Sequence, residues 1–449
     1  MISGNNIKVK YRQNHRKMRD IILGITKNNN ITLLDLLDYL YLISFISFSG
    51  TIWVNQGILY EYQGYFRMLI MVFPFMASII RIRRRQNRGM PLTCCIKHCI
   101  LFCFVYFLIF VLSEILFFNL TAGLVLFVPM CVTLFHLCAL ETREELVNLL
   151  RKFVRIVFVV AAVSLAFFIL GSVFRFIYPS WKTNFMWDYP RLADSFFGLY
   201  YEPQAIEIMG YVGARNCAIF TEAPMFAFLL CCALLCQFFF LKKGFTPSTI
   251  ILLITVFTTF STTAYVAVLA LLYFVFLLHP FEWIYMKKVK TIVSIVLAAV
   301  LGISIVILLY DKSGTGSFGV RLDHLIGCLK AFVVCFPFGC GIENKETLYS
   351  FFEYKQGLSV GLPYLFAQLG IFAVIIYGVP LIGAIVLYVR TKHYSEFAFL
   401  LILQWLFFVT NVAVNAMPIW LMVNMIQIYV PYCFKYDSKW NNRLDISLS

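Results

Sequence analysis

Long, uninterrupted runs of apolar residues recur along the whole chain, separated by short polar or basic segments. The run at 99–118 is representative. A helix needs about 20 mostly apolar residues to cross the roughly 30 Å hydrocarbon layer of a lipid bilayer. Backbone polar groups in lipid must be satisfied within the spanning structure, so only helices and closed barrels cross it. Because the runs are continuous rather than alternating, the pattern predicts an all-α polytopic membrane protein.

About twelve transmembrane helices are predicted by this length criterion, in a single membrane domain at 39–434. A basic cytoplasmic N-terminal and interfacial segment, 1–38, precedes the domain, and a cytoplasmic tail, 435–449, follows it. Two long connections, 178–215 and 311–360, interrupt the apolar pattern. The predicted spans are 39–59, 65–80, 99–117, 120–140, 153–177, 216–241, 249–260, 263–279, 291–310, 361–389, 395–415 and 418–434.

The distribution of basic residues predicts the orientation of the chain. There are 37 Lys and Arg against 22 Asp and Glu, a formal net charge of +15. With both termini in the cytoplasm, 27 of the 37 basic residues fall in cytoplasmic segments, as the positive-inside rule requires. The two long connections then lie on the extracytoplasmic side. Since membrane topology accounts for the positive charge, we expect no nucleic-acid partner.

Composition agrees with a membrane protein and changes the interpretation of the cysteines. Of the 449 residues, 61% are hydrophobic and 13% charged, with a mean hydropathy of +0.84, whereas a soluble domain is about 25% charged. Most of the 14 cysteines lie in or beside apolar runs, where cysteine acts as a small hydrophobe. No metal or cofactor is expected. A bridge between Cys335 and Cys340 requires an extracytoplasmic loop, and we expect both thiols to stay free.

The stretch 249–279 is too short for two full crossings. It offers 31 residues, where two spans need roughly 40. Lys242-Lys243 before it and Lys287-Lys288 after it both favour the cytoplasm, which requires an even number of crossings. The polar turn Ser261-Thr262-Thr263 then lies at the tip of a short pair. Since non-helical backbone at such depth is tolerated only where protein or a cavity surrounds it, we predict that this tip forms a wall of a site.

Charged residues near the predicted outer face are candidates for function, because charge in or beside a span is costly. Arg215 begins a predicted span and Glu222 follows seven residues later, a spacing that places both on one face of a helix. A snorkelling arginine with a structurally paired glutamate explains that spacing equally well. The other candidates are Arg321, Asp323 and His324 in the second connection and Arg191 and Asp194 in the first.

Arginines above apolar helices suit the binding of a lipid diphosphate. The planar guanidinium binds phosphate oxygens bidentately and stays charged at any physiological pH. A nearby carboxylate or histidine can take the proton of an attacking hydroxyl. The sequence contains no Walker loop, HExxH or GxSxG. It also lacks the Asp-x-Asp pair that holds a divalent ion in many nucleotide-sugar transferases.

Three segments together carry a family pattern. Residues 215–229 read RNCAIFTEAPMFAFL, the apolar stretch 257–271 contains the turn STTAY, and 317–372 contains SFGVR, FPFGCG and a closing GIF. Over 215–272 and 316–375 the chain resembles the bacterial O-antigen polymerases, which are likewise polytopic, basic and rich in Phe and Tyr. The resemblance implies a fold similar to the membrane-embedded glycosyltransferases of the GT-C class.

The resemblance also implies an activity, the joining of oligosaccharide repeat units carried on undecaprenyl diphosphate. The reaction would take place at the outer face of the bacterial cytoplasmic (inner) membrane, with lipid-linked glycan as both donor and acceptor. A chain-length regulator and a flippase are the expected protein partners. The site residues expected on this basis are Arg215, Arg321, Tyr265 and Arg191 for substrate binding, and Glu222 and His324 for catalysis.

Two departures from the family pattern bear on this interpretation. Cys217-Ala218 stand where the family often has glycine. The related O-antigen ligases usually carry a His-Asn pair shortly before the Tyr-Leu that matches Tyr364-Leu365, and here that stretch, 359–363, reads SVGLP. The missing histidine favours a polymerase over a ligase. A flippase for lipid-linked oligosaccharides is the remaining alternative, although flippases show paired repeats and mid-membrane charges, and the sequence shows no repeat.

Overall fold

A computed structural model describes residues 32–87, scattered positions between 100 and 140, and most of 143–410. Short gaps lie at 188, 209–210, 279–283, 314–315, 342–343, 356–359 and 391. Five predicted features lie wholly or largely outside the described residues, namely the N-terminal stretch 1–31, the spans 99–117, 120–140 and 418–434, and the tail 435–449.

Helices account for most of the described residues. They are α1 Leu33–Ser47, α2 Gly57–Glu61, α3 Gln63–Ile70, α4 Val72–Asn87, α5 Arg143–Phe167, α6 Ala223–Leu235, α7 Pro247–Thr258, α8 Thr262–Leu278, α9 Ile284–Ser313, α10 Gly316–Val334, α11 Lys345–Tyr349, α12 Leu362–Leu369, α13 Ile371–Ala373, α14 Val379–Arg390 and α15 Tyr394–Val409. Helices α5, α6 and α13 continue into π-helical turns at Phe168–Val173, Cys236–Phe240 and Val374–Gly378.

Two helices in the described part of the chain are long and apolar enough to cross a membrane. They are Glu144–Val173, with 30 residues, and Ala223–Phe240, with 18. Shorter apolar helices occupy further predicted spans, at Pro247–Thr258, Thr262–Leu278, Val289–Val300, Leu381–Arg390 and Tyr394–Val409. The helical character of these segments is therefore confirmed, and the number of crossings stays a prediction.

Local sequence explains where several helices begin. Thr32 caps α1, because its hydroxyl accepts from the Asp35 amide while the Asp35 carboxylate accepts from the Thr32 amide. Thr246 and Thr249 form the equivalent reciprocal cap on α7, followed by Pro247 in the first turn. Such caps satisfy amides that have no partner within the helix, and proline is tolerated there because its missing N–H would be unpaired anyway.

Helix α6 forms the centre of the main apolar core. All of its residues except Pro224 are buried, and it contacts α5, α7, α8 and α15. The ring of Phe228 packs edge-on against Phe407 at 5.3 Å between centroids. A helix that is apolar on every side belongs inside a bundle or a membrane, and here the neighbouring helices surround it.

Helix α9 exposes a continuous apolar stripe. Ile292, Ile295, Val296, Ile303 and Val306 recur at helical spacing and are between 54% and 65% exposed. Exposed apolar surface of this extent is costly in water and marks contact with a membrane or another protein. The described helices thus turn apolar side chains outward as well as inward.

Two small antiparallel sheets occupy the first long connection, which the apolar pattern did not predict. One sheet contains β1 Trp181–Trp187, β2 Tyr189–Phe196 and β3 Tyr200–Glu202, in that order, with Trp181 opposite Ser195 and Asp194 opposite Glu202. The other contains β4 Ala205–Ile208 and β5 Tyr211–Ala214. The fold is therefore predominantly helical, with a β-structured segment inserted between α5 and α6.

The inserted sheet packs against the segment that follows α1. Phe185, Ala193 and Tyr201 from the three strands form a small buried cluster with Ile52. The indole Nε1 of Trp53 donates to the carbonyl of Gly198 over 2.7 Å. These contacts fix the β1–β2 hairpin relative to the helical core, and this hairpin carries Arg191.

A buried ionic network joins α1, α4 and α5. Arg81 Nη2 lies 2.8 Å from both carboxylate oxygens of Asp38, and Lys152 Nζ lies 2.7 Å from Asp38 Oδ2 and 2.7 Å from Asp35 Oδ1. His136 Nε2 is 3.7 Å from Asp38 Oδ1. Asp38 is only 2% exposed, so its carboxylate is enclosed by protein, and the interfacial position of the segment that ends at residue 38 stays a prediction.

The predicted span 361–389 is broken at Gly370. This residue has a φ of +56°, and a Cβ added to it would lie 2.2 Å from the Pro337 carbonyl oxygen. The amide of Ile371 donates to that same carbonyl over 2.7 Å. Glycine is required here because no other residue permits both this φ and this close approach. The break lets the turn after α10 pack against the end of α12.

Candidate functional site

The turn between α7 and α8 forms one wall of a cluster of predicted site residues. Helix α7 ends at Thr258 and α8 begins at Thr262, so the connection is the short turn 259–261. Phe260 adopts a left-handed φ of +49° in this turn, while Thr259 and Ser261 are buried. The turn contacts Arg215, and Thr263 just after it contacts Arg321; that this tip forms a wall of a site stays a prediction.

Arg215 closes the carboxyl end of α7. Its Nε donates to the carbonyl of Thr259 over 3.0 Å, and its Nη2 donates to the carbonyl of Phe260 over 3.1 Å. A cation at this position also meets the negative end of the helix dipole. The edge of the guanidinium formed by Nε and Nη2 is therefore bonded to the protein. A phosphate could make a bidentate contact with Arg215 only through the edge formed by Nη1 and Nη2.

Asn216 strengthens the same connection. Its backbone amide donates to the carbonyl of Thr258 over 3.0 Å, and its Nδ2 donates to the Thr258 hydroxyl over 2.9 Å. Asn216 is fully buried, so these bonds satisfy groups that water cannot reach. Arg215 and Asn216 together attach the chain before α6 to the end of α7.

Residues 215–222 are not helical, so the predicted common helix face of Arg215 and Glu222 is wrong. Helix α6 begins only at Ala223, with Pro224 in its first turn. Ala218 adopts a left-handed φ of +50°, which interrupts any helix. This is one of the two positions where the family that the sequence resembles often has glycine, and glycine adopts that conformation without strain.

Other segments hold the 215–222 backbone in place. The carbonyl of Ile219 accepts from the Ile52 amide and that of Ala218 accepts from the Tyr201 amide, both over 2.8 Å. The amide of Thr221 donates to the carbonyl of Gly50 over 3.0 Å. The segment 216–221 is buried throughout. This is irregular backbone enclosed by protein, which the predicted membrane setting requires.

Glu222 lies at the N-terminus of α6 and is held by the β1–β2 hairpin. The indole Nε1 of Trp187 donates to Glu222 Oε1 over 2.7 Å, and Arg191 Nη1 lies 3.8 Å from the same oxygen. The guanidinium of Arg191 stacks over the ring of Tyr189 at 4.5 Å. The direct ion pair of Glu222 is thus with Arg191, and the N-terminal end of the helix favours its negative charge.

Gln204 links the arginine to the helix that follows Glu222. Its Oε1 accepts from the Ala223 amide over 3.0 Å and from Arg215 Nη1 over 3.4 Å. The sequence reasoning missed both Gln204 and Trp187, because both lie in the β-structured insertion. Trp181, Thr183, Phe185 and Trp187 occupy alternate positions, and aromatic and β-branched residues at this spacing are the signal that predicts a strand there.

Arg321 reaches the cluster from α10. Its Nη1 donates to the Thr263 hydroxyl over 3.4 Å, and this long bond is its one hydrogen bond within the described ranges. Tyr265, one turn from the start of α8, donates its hydroxyl proton to the Phe257 carbonyl over 2.7 Å. Arg321 is consequently less engaged by the protein than Arg215, whose guanidinium donates three hydrogen bonds.

The charges of the cluster act on one another. Burial lowers the pKa of Arg321; the carboxylate of Glu222 opposes this shift, and the charge of Arg215 adds to it. Burial likewise lowers the pKa of Arg215, again opposed by Glu222. Arginine nevertheless stays protonated in proteins. Three cations therefore face one carboxylate, which leaves an excess of positive charge.

An unsatisfied donor accompanies this excess charge. In the part of the chain that the structure describes, Arg191 Nε is buried and has no hydrogen-bond partner. Buried donors are almost always paired, so an orphaned nitrogen on an arginine that shares Glu222 with two further arginines suits an anionic ligand. The arrangement can bind a phosphate or diphosphate and can present a carboxylate beside it.

His324 makes its contacts with a different segment. It is fully buried, its Nε2 lies 2.9 Å from the Tyr354 carbonyl oxygen, and its ring packs on Phe352. The neighbouring Asp323 accepts from the amides of Glu353 and Tyr354, both over 3.0 Å. The structure thus brings together Arg191, Arg215, Glu222, Tyr265 and Arg321, whereas these contacts join Asp323 and His324 to 352–354.

Across the described ranges, no group of three or more His, Cys, Asp or Glu residues is arranged to hold a metal ion. Comparison with models of known protein families, with curated proteins and with solved structures finds no match to this chain. The geometry of the arginine cluster is therefore the basis for a functional proposal.

Proposed function

We propose that the chain is a polysaccharide polymerase of the bacterial cytoplasmic (inner) membrane. It joins oligosaccharide repeat units carried on undecaprenyl diphosphate into O-antigen, capsular or exopolysaccharide at the outer face. The observation that carries the proposal is the cluster of Arg191, Arg215 and Arg321 around Glu222, in which Arg191 Nε is buried and unpaired within the described structure. The sequence resemblance over 215–272 and 316–375 supplies the reaction class.

The three arginines have different roles in this proposal. Arg321 is the principal ligand of the donor diphosphate, because one long hydrogen bond to Thr263 leaves most of its N–H groups for the substrate. Arg191 adds its unpaired Nε. Arg215 fixes the turn 259–261 and contributes its charge and the terminal edge of its guanidinium. Tyr265 lines the substrate side of the turn.

Glu222 acts on the hydroxyl group of the acceptor glycan. In the transfer step the bond between the donor's anomeric carbon and the diphosphate breaks, and the acceptor hydroxyl oxygen bonds to that carbon. Undecaprenyl diphosphate leaves with the negative charge, which the arginines stabilise. Glu222 takes the hydroxyl proton or orients the hydroxyl. Trp187 and Arg191 hold one of its oxygens in place.

The membrane setting of the proposal is multi-pass, with about twelve spans and both termini in the cytoplasm. Its support is the recurrence of apolar helices, the exposed apolar stripe of α9, and the distribution of basic residues. In this topology the arginine cluster lies at the outer face, where lipid-linked repeat units are presented. A flippase would deliver those units, and a chain-length regulator would be a second partner.

Deletion of the gene tests the proposal in cells. We expect the ladder of long glycan chains on a gel to disappear while surface or lipid-linked glycan with a single repeat unit persists. Loss of that single unit as well would contradict the proposal, since it would indicate a ligase or a flippase.

A lipid-linked oligosaccharide flippase is the second candidate, and one observation favours it. Transporters carry ionisable residues inside the membrane domain, and Asp38, Arg81 and Lys152 form a buried ionic group at the predicted cytoplasmic ends of three spans. The charges of this group balance, because the two carboxylates of Asp35 and Asp38 face two cations. A compensated network suits a structural role, so we favour the polymerase.

A further inference from the structure

Two cysteine side chains face each other in the second long connection. The Cys340 thiol donates to the Sγ of Cys335 with the two sulfurs 3.2 Å apart. Cys340 is buried and Cys335 is partly buried. Disulfide formation demands that both sulfurs point toward each other across a short gap, and these two side chains already do so as thiols.

The backbone that carries the pair is fixed at both ends. Cys335 directly follows α10, and its carbonyl accepts from the Gly339 amide over 2.9 Å. On the other side, the Cys340 amide donates to the Ala367 carbonyl over 2.9 Å. Gly339 has a φ of +78°, and a Cβ there would lie 2.3 Å from the Gln368 carbonyl oxygen. The approach of the two sulfurs is therefore built into a tightly packed turn.

We propose that Cys335 and Cys340 form a disulfide in the mature protein, in contrast to the expectation from sequence that both thiols stay free. The inference rests on the proposed function in one respect, the extracytoplasmic position of the connection 311–360. Oxidising conditions outside the cytoplasm allow such bonds to form and persist. The disulfide closes a loop of six residues at the end of α10 opposite Arg321, and so braces the helix that carries this arginine.

The bond forms by exchange with the disulfide of a thiol oxidoreductase in the outer compartment. Burial raises the pKa of the Cys340 thiol to about 12, which disfavours its thiolate. The partly exposed Cys335 is therefore the cysteine that reacts first with the oxidant. Its thiolate attacks one oxidant sulfur, giving a mixed disulfide and one reduced oxidant thiol. Cys340 then attacks Cys335 Sγ and expels the second oxidant sulfur, which takes the proton. Two cysteine thiols are oxidised, and one oxidant disulfide is reduced to a dithiol.

Peptide mass spectrometry tests the bond in the full-length protein. Cells are treated with N-ethylmaleimide before lysis, and the chain is purified and denatured without reductant, treated again and cut with trypsin. Residues 331–345 form one tryptic peptide that contains Cys335 and Cys340 and no other cysteine. We expect this peptide to carry no maleimide and to be lighter than the dithiol by two hydrogens, and to take up two maleimides after reduction. Two maleimides without reduction would overturn the inference.

Internal and topological controls make the outcome specific. Cys328 lies in the neighbouring tryptic peptide 322–330 and should take up one maleimide on denaturation without reductant. In a Cys340→Ser variant, Cys335 should do the same. A reporter fused at 340 that is extracytoplasmic, together with a fully labelled 331–345 peptide, refutes the disulfide and leaves the proposed topology intact. A cytoplasmic reporter with a fully labelled peptide refutes both.

Discussion

Replacement of Arg321 and Arg215 by alanine and lysine should separate substrate binding from structural anchoring. Arg321 makes one long hydrogen bond to Thr263 among the described residues, so Arg321→Ala should leave the protein level nearly unchanged. A preorganised donor aimed at developing charge is worth about 3–4 kcal/mol, or two to three orders of magnitude in rate. We therefore expect Arg321→Ala to abolish long polymer. Arg321→Lys should retain part of it, because lysine keeps the positive charge but lacks the planar guanidinium that binds phosphate bidentately.

Arg215 should respond differently, because its guanidinium bonds two carbonyl groups at once, on Thr259 and Phe260. Hydrogen bonds from charged groups contribute about 1.5–3 kcal/mol each, so removing both costs roughly 3–6 kcal/mol before partial solvent screening is considered. A lysine ammonium lacks the planar fork that meets both carbonyls. We expect Arg215→Ala and Arg215→Lys to lower the amount of folded protein as well as polymer.

The assay is the polymer length distribution on a gel, with the membrane level of each variant measured in parallel. Arg83→Ala, at an exposed position on α4, is the matched control and should be silent. Full-length polymer from a normally expressed Arg321→Ala variant would refute the assignment of the diphosphate site. If Arg215→Ala also made full-length polymer, neither arginine would be needed for polymerisation, and both would have a structural role alone.

Three further predictions follow from other contacts. Asp38→Asn leaves Arg81 and Lys152 buried without their shared carboxylate, which should cost about 3–5 kcal/mol of stability. The loss should appear as a lowered thermal midpoint in detergent. The control Asp35→Asn, at a more exposed carboxylate, should cost less stability. Burial acts to raise the pKa of Asp38, but the charges of Arg81, His136 and Lys152 hold it below its usual value. The stabilisation by Asp38 is therefore present at neutral pH and is lost as pH falls through the lowered pKa. A wild-type thermal midpoint that does not change on acidification would contradict this prediction. Trp187→Phe removes the indole bond to Glu222 and should slow polymerisation by roughly tenfold at an unchanged protein level, whereas an unchanged rate would show that Glu222 needs no such support. His324→Gln can still donate to the Tyr354 carbonyl and should preserve polymer, while His324→Ala should lower the protein level; loss of polymer from well-expressed His324→Gln would restore a catalytic role.

The helical segments followed from hydrophobicity alone because their signal is long and continuous. Helices α7 and α8 lie within a residue or two of the predicted 249–260 and 263–279, and the polar turn between them contacts the arginines. That these two helices make an even number of crossings, as the lysines on both sides favour, stays a prediction.

The remainder of the site depends on contacts between residues that are distant in sequence. The spacing of Arg215 and Glu222 suggested a shared helix face, but tertiary hydrogen bonds and Pro224 delay the helix until Ala223. The partners of Glu222 come from the β1–β2 hairpin, whose short strands give a weak signal in a strongly apolar sequence. The ionic network around Asp38 joins residues from α1 to α5, and no local pattern encodes that pairing.

Reconstitution tests the central claim most directly. The purified full-length chain is placed in liposomes with undecaprenyl-diphosphate-linked repeat units, and glycan length and released undecaprenyl diphosphate are both measured. We expect glycans of two and more repeat units, one undecaprenyl diphosphate released for each bond formed, and loss of both products in Arg321→Ala and Glu222→Gln. Movement of the lipid-linked units across the bilayer with no new glycosidic bond and no released diphosphate would contradict it.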